Sequence, residues 1–204
     1  AMTRAEIGDF EGAESAWRRS ITLKPAYAEG LSFLGLLNYW RRQYDSAEVW
    51  ADSAVAVDPN YILGRSTTGA VAIERGDYTR AIAAFEADRR LSSDVEVVNA
   101  LAGRALAEAR AGRREEARAT LRQAESLVTA YTPTPLHTVV YLAEAYAGLG
   151  DANHALAWLT RFDPPQHLHF QLHLRCDPSL DPIAGDPRFK ALLLPDVTRP
   201  EKGC

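Results

Sequence analysis

Three histidines, His167, His169 and His173, stand close in sequence to Cys176 and Asp177. Imidazole and thiolate are the side chains that hold zinc-class ions. A helix places His169 and His173 on one face, because four residues make about one turn. His167 and His169 differ by two, so the three do not converge on one helix, and no second ligand cluster stands nearby. No metal and no cofactor is therefore assigned, and a chelator is expected to leave the melting temperature unchanged. Cys176 as a nucleophile would need a base and an orienting partner. His173 offers the first, but no third group is evident, so no catalytic residue is assigned. No glycine loop of the phosphate-binding kind occurs. Gly35, Gly69 and Gly76 suit helix packing and turns. The acids Glu115 and Glu116 fit the start of a helix, and the pairs Arg41–Arg42, Arg89–Arg90 and Arg113–Arg114 fit helix ends.

These residues need elements to hold them, and the composition says which kind. Of 204 residues, 47% are hydrophobic and 25% charged, enough to bury a core. The net charge of -4 argues against nucleic-acid binding. No run of about 18 apolar residues suggests a membrane span. The start has no basic segment followed by an apolar one, so no secretory leader is expected. Two cysteines are too few for a disulfide framework, and Cys204 is expected to be disordered. A cytoplasmic setting follows from these readings. The 34 alanines favour helices in close approach, and no proline lies between Pro59 and Pro133.

The dominant signal is repetition. Phe10, Tyr44 and Tyr78 recur at a step of 34, as do Ala13, Ala47 and Ala81, and Pro25 and Pro59. The step then lengthens to 36 at Ala117 and 38 at Ala155. Gly76, Gly112 and Gly150 shift in parallel. Each unit reads as a helix pair. Leu31, Leu34, Gly35 and Asn38 share one face of a first helix, and Ala47, Ala51 and Ala54 form the facing stripe of a second. Arg65, Thr68, Gly69 and Ala72 stand in the equivalent places of the next unit, followed by the Gly76-Asp77-Tyr78 turn and by Ala81, Phe85 and Asp88. The fourth unit carries Leu101, Arg104, Ala105 and Glu108, and the fifth Val139, Leu142, Ala143 and Tyr146. Pro133 and Pro135 mark the break between them.

This pattern resembles the tetratricopeptide repeat family over roughly residues 6 to 162. Leu34-Gly35, Gly76-Asp77-Tyr78-Thr79-Arg80-Ala81, Phe85 and Asp58-Pro59 carry the resemblance. It implies an all-α, right-handed solenoid of helix-turn-helix repeats spanning 3–162. A C-terminal cap with Asp-Pro turns follows over 163–195, then a tail, 196–204. In the cap, Leu180, Ile183, Phe189, Leu192 and Leu193 are expected to anchor onto the last repeat after the Asp163-Pro164-Pro165 break. Only Ala1–Ile7 are left for the first helix of the first unit, so the chain is expected to be a C-terminal piece of a longer protein. The stretch Cys176–Leu194 resembles a recurrent ending of bacterial tetratricopeptide regions that follow kinase, cyclase or winged-helix domains.

The family register implies a concave groove for a protein or peptide segment with apolar anchors. Phe33, Leu36, Tyr39 and Trp40 would face it from the second unit, and Leu63, Thr67 and Ala70 from the third. Asn99, Leu106 and Arg110 would face it from the fourth, and His137, Tyr141 and Glu144 from the fifth. Leu36, Ala70, Leu106 and Glu144 occupy the row where some relatives place the Lys and Asn of a carboxylate clamp, so no such clamp is expected. Non-enzymatic protein interaction within a bacterial signalling or regulatory protein is the leading function. Stacking between chains, giving a homo-oligomer, is the alternative, and a repeat-scaffolded enzyme comes last. If Trp40 is a ligand anchor, its truncation should weaken binding at least about thirty-fold. If it packs against a neighbouring repeat, the cost falls on stability instead.

Overall fold

The computed structural model describes residues 1–128, 134–162, 167–194 and Cys204. Among them every regular element is helical. In chain order these are α1 (Met2–Glu6), α2 (Phe10–Leu23), α3 (Ala28–Trp40), α4 (Tyr44–Val57), α5 (Ile62–Glu74), α6 (Tyr78–Leu91), α7 (Val95–Arg110) and α8 (Arg114–Val128). Then come α9 (Leu136–Gly148), α10 (Ala152–Leu159), α11 (Leu168–Cys176), a 3₁₀ turn (Pro178–Ile183) and α12 (Pro187–Lys190). No described helix is long and apolar enough to cross a membrane. Pro133 and the Asp163-Pro164-Pro165 break lie outside the described residues, as does the tail before Cys204.

Local chemistry sets the helix boundaries. Asp9, Asp77 and Asp151 are N-caps whose carboxylates accept from the amides of Gly12, Arg80 and His154. Each relieves one of the orphan N–H groups of a helix start. Gly76, Gly112 and Gly150 turn the chain at left-handed φ of 75–78° between paired helices, where a Cβ would be strained. The second unit has Arg42 at that place, with φ 58°. Its guanidinium forks onto Asp181, Nη2 to Oδ1 at 2.9 Å and Nη1 to Oδ2 at 2.8 Å. A non-glycine turn is thus tied to the C-terminal segment.

The pairs stack in sequence into an all-α solenoid. The first helices α3, α5, α7 and α9 neighbour one another, and each packs on its own second helix. Small residues make the approach close. A Cβ on Gly69 or Gly103 would fall 2.7 or 2.4 Å from the Phe85 ring. Phe85 of α6 is therefore gripped between α5 and α7. Ala47, Ala51, Ala54, Ala81, Ala117, Leu121 and Ala124 are all buried, as the stripes required.

The C-terminal segment goes further than a cap on the last repeat. Phe170, Leu174, Leu180, Ile183 and Phe189 do join the large core formed by units three to five. Leu172 and Cys176 instead enter a second cluster with Ala5, Leu37, Trp40 and Val71 of units one to three. Tyr39 Oη donates to Asp177 Oδ1 at 3.2 Å and lies 3.0 Å from Ser179 Oγ. The segment therefore bridges both ends of the stack across its inner side.

The cysteines correct an expectation. Cys176 and Cys204 are disulfide-bonded, with Cα atoms 5.4 Å apart, and the Cys204 amide donates to the Trp40 carbonyl at 3.0 Å. Cys204 is thus held, not disordered. Disulfides persist mainly in oxidising compartments, so the argument for a cytoplasmic setting loses its cysteine support. The bond closes a loop with a sequence separation of 28, for which loss of unfolded-state freedom is worth about 2–4 kcal/mol. Cys204→Ser is expected to lower the urea midpoint accordingly. An unchanged midpoint under both oxidising and reducing conditions would show that the bond does not constrain the unfolded chain.

Candidate functional site

The inner side of the stack encloses a cavity of about 510 Å³. Phe33, Leu36 and Tyr39 of α3 and Leu63, Thr67 and Ala70 of α5 line it, with Asn99 and Leu106 of α7 and His137, Tyr141 and Glu144 of α9. These side chains meet because first helices present residues one turn apart to the same side. The family register places all of them there. Two further residues assigned to the groove stand elsewhere. Trp40 is 1% exposed and sits in the second cluster, its ring edge-on to His173 at 5.6 Å. Its position follows from the returning α11, which covers the flank that the register left open. Arg110, at the end of α7, reaches Glu74 at 3.8 Å and does not line the cavity.

The wall contributed by the C-terminal segment is absent from the family register. His169, His173, Asp177 and Ser179 also line the cavity. They add polar groups to a lining that Phe33, Leu36, Leu63 and Ala70 make apolar elsewhere. No local signal in 167–179 points to the concave face, since its position depends on the curvature of the whole stack.

On the polar side three imidazoles converge. His137 Nε2 lies 3.1 Å from His169 Nε2. One ligand atom from each of His137, His169 and His173 falls within 4.8 Å of the others. The expected lack of convergence holds for His167, which is exposed and edge-on to Phe162 at 5.8 Å. It fails for the cluster, because His137 arrives from α9. A second group, Glu144, His173 and Asp177, shares His173.

Burial governs the electrostatics here. It lowers His169 to about 3, helped by the charges His173 and His137 would carry, and lowers His137 to about 4, with His173 contributing. His137 keeps an exposed edge at the cavity mouth, yet most of its surroundings exclude water. Both rings are neutral near pH 7. Burial pushes Asp177 up, but hydrogen bonding and charge from His173, with the Ser179 amide, hold it below the ordinary carboxylate range. Burial keeps the Tyr39 and Tyr141 phenols protonated well above their ordinary range. The site is thus a largely aromatic and apolar chamber with two neutral imidazoles and the carboxylate of Asp177 on its polar side, and Glu96 and Glu144 also in its lining.

No family model and no curated protein matches the chain. Among solved structures it is similar to TTC0263, a thermophilic TPR protein of Thermus thermophilus. That match has 21% identity and a TM-score of 0.61, covering 85% of this chain and 92% of the other. It is also similar to YrrB, a TPR protein with an unusual peptide-binding site. There the identity is 14% and the TM-score 0.49, with 87% and 88% covered. The first likeness shows the fold, a solenoid of tetratricopeptide-type helix pairs.

Proposed function

We propose that the chain is a non-enzymatic recognition module that takes an apolar segment of a partner polypeptide into its inner cavity. One observation carries this reading: a cavity of about 510 Å³ whose walls are mainly aromatic and aliphatic. That volume lies within the range of built ligand sites, roughly 300–1,000 Å³. It takes one or two large side chains and excludes a long helix, because α11 already occupies part of the concave side. Apolar anchors entering such a chamber supply most of the binding energy. The carboxylate of Asp177 and the imidazoles disfavour an acidic anchor and accept a hydrogen-bond donor. The protein resembles, in Cys176–Leu194, the ends of bacterial signalling and regulatory proteins, which supports placing the module as their sensor or scaffold region.

Selection from a random peptide library on the full chain tests the reading. Enriched peptides are expected to share an aromatic or branched aliphatic anchor. Enrichment of acidic peptides without such an anchor, or no enrichment at all, would overturn it.

A further inference from the structure

We propose that His137, His169 and His173 form a binding site for one divalent cation of the zinc class, open toward the cavity. This goes beyond the recognition reading and does not depend on it.

The site rests first on geometry. His169 and His173 stand one turn apart on α11, and His137 faces them from α9. The three rings are mutually edge-on, with centroids 5.2, 5.8 and 5.2 Å apart. Edge-on packing is also what aromatic rings adopt among themselves, so the convergence rests on the nitrogens, one from each ring lying within 4.8 Å of the others. Two nitrogens bound at 2.0–2.1 Å to one tetrahedral ion stand about 3.3–3.4 Å apart. His137 and His169 have their Nε2 atoms at 3.1 Å. A small adjustment admits the ion between them.

Carboxylates stand behind two of the three rings. His169 Nδ1 lies 3.2 Å from Glu6 Oε1. A neutral ring carrying its proton at Nδ1, on the carboxylate side, presents a lone pair at Nε2. His173 Nδ1 lies 3.5 Å from Asp177 Oδ2. Carboxylates behind imidazoles in this way orient metal-binding histidines and raise their basicity. An ordinary hydrogen bond between His137 and His169 explains that pair alone. It leaves His173, which is 6% exposed and whose Nε2 has no hydrogen-bond partner. A buried ring nitrogen without a partner is costly, and a cation removes that cost.

Ligand type sets the chemical class. Three imidazoles suit zinc, cobalt, nickel or copper and disfavour magnesium and calcium, which take oxygen. Three protein ligands leave a fourth position, and the cavity lies on that side. A water or a donor atom of an incoming segment completes the shell there. The alternative set, Glu144, His173 and Asp177, offers one nitrogen and two oxygens already engaged with neighbours.

Metal titration of the full chain, stripped with chelator, tests the site. Cobalt(II) is expected to bind one per chain with the intense visible absorption of a four-coordinate ion, and zinc should displace it. His137→Ala and His169→Ala should each weaken cobalt binding at least about 100-fold, beyond the 10–100-fold typical of losing an outer-shell partner. His154→Ala, on the outer face and bonded to Asp151, should leave affinity unchanged. Zinc should raise the melting temperature of wild type and of His154→Ala but not of the His137 variant. His137 is partly exposed, so that variant is expected to fold, and metal-free circular dichroism verifies it. Absence of a saturable equivalent, or affinity retained in both His137→Ala and His169→Ala, would overturn the proposal. So would loss of binding only in Glu144→Gln or Asp177→Asn.

Discussion

Trp40→Ala is expected to destabilise the folded chain by about 3–5 kcal/mol, the usual cost of emptying a buried aromatic site. The ring is 1% exposed and packs with Leu37, Val71, Leu172 and Cys176, between the first units and the returning C-terminal segment. Ala at this position leaves a void that neither end of the stack can collapse into, because both are held by other contacts. Tyr39 stays bonded to Asp177, and Arg42 to Asp181. Trp40→Phe should cost far less. It keeps most of the apolar volume and removes an indole N–H that has no hydrogen-bond partner. Urea unfolding of the two variants decides the matter. A loss under about 1 kcal/mol for the Ala variant, with affinity for library-selected peptides reduced, would return Trp40 to the ligand face.

The second large effect lies in the middle of the stack. Arg65 Nε donates to Asp88 Oδ1 at 2.5 Å, and the two side chains are 7% and 2% exposed. Arg65 stands where neighbouring units carry an apolar residue, and Asp88 of α6 is its counter-charge. Two guanidinium nitrogens, Nη1 and Nη2, have no hydrogen-bond partner. Arg65→Met alone leaves a buried carboxylate without its cation and should cost about 3–5 kcal/mol. The double variant Arg65→Met/Asp88→Leu should recover most of that loss, since an apolar pair needs no compensation. Burial pushes Asp88 up to about 6, with the charge and hydrogen bond of Arg65 opposing and Glu96 adding to it. The folded chain then holds a proton between about pH 4 and 6 that the unfolded chain has released. Stability from this group is present below that window and is lost as pH rises through it. The double variant should lack that component. Equal pH slopes for wild type and double variant would contradict the assignment.

The repeat architecture was legible because each unit carries its own instructions. Asp caps, left-handed glycines and alanine stripes act within a single repeat, so spacing alone fixes the helix pairs and their facing sides. The cavity wall of Leu36, Ala70, Leu106 and Glu144 was implied by the tetratricopeptide resemblance and not by spacing alone. What spacing could not give was the path of the C-terminal segment. Tyr39 meets Asp177 and Ser179 across 138 and 140 residues, a distance set by small rotations accumulated over several units. That return path buries Trp40 and leaves its neighbour Tyr39 in the cavity wall. It also brings His137 to His169 and His173, and Cys204 to Cys176. Each of those residues was visible alone, but nothing local marked them as partners.

If the returning segment and the first helices enclose a chamber for an apolar anchor, filling that chamber must block the anchor. Ala70 lines it from α5 and packs at the edge of the second cluster, and a larger side chain there occupies the open space beside that cluster. Library-selected peptides should therefore bind Ala70→Trp at least about thirty-fold more weakly than wild type, roughly 2 kcal/mol. A cooperative urea transition verifies that the variant is folded. Fluorescence titration of one labelled peptide against both proteins makes the measurement. Equal affinity for the two, with the variant folded, would contradict binding in the chamber.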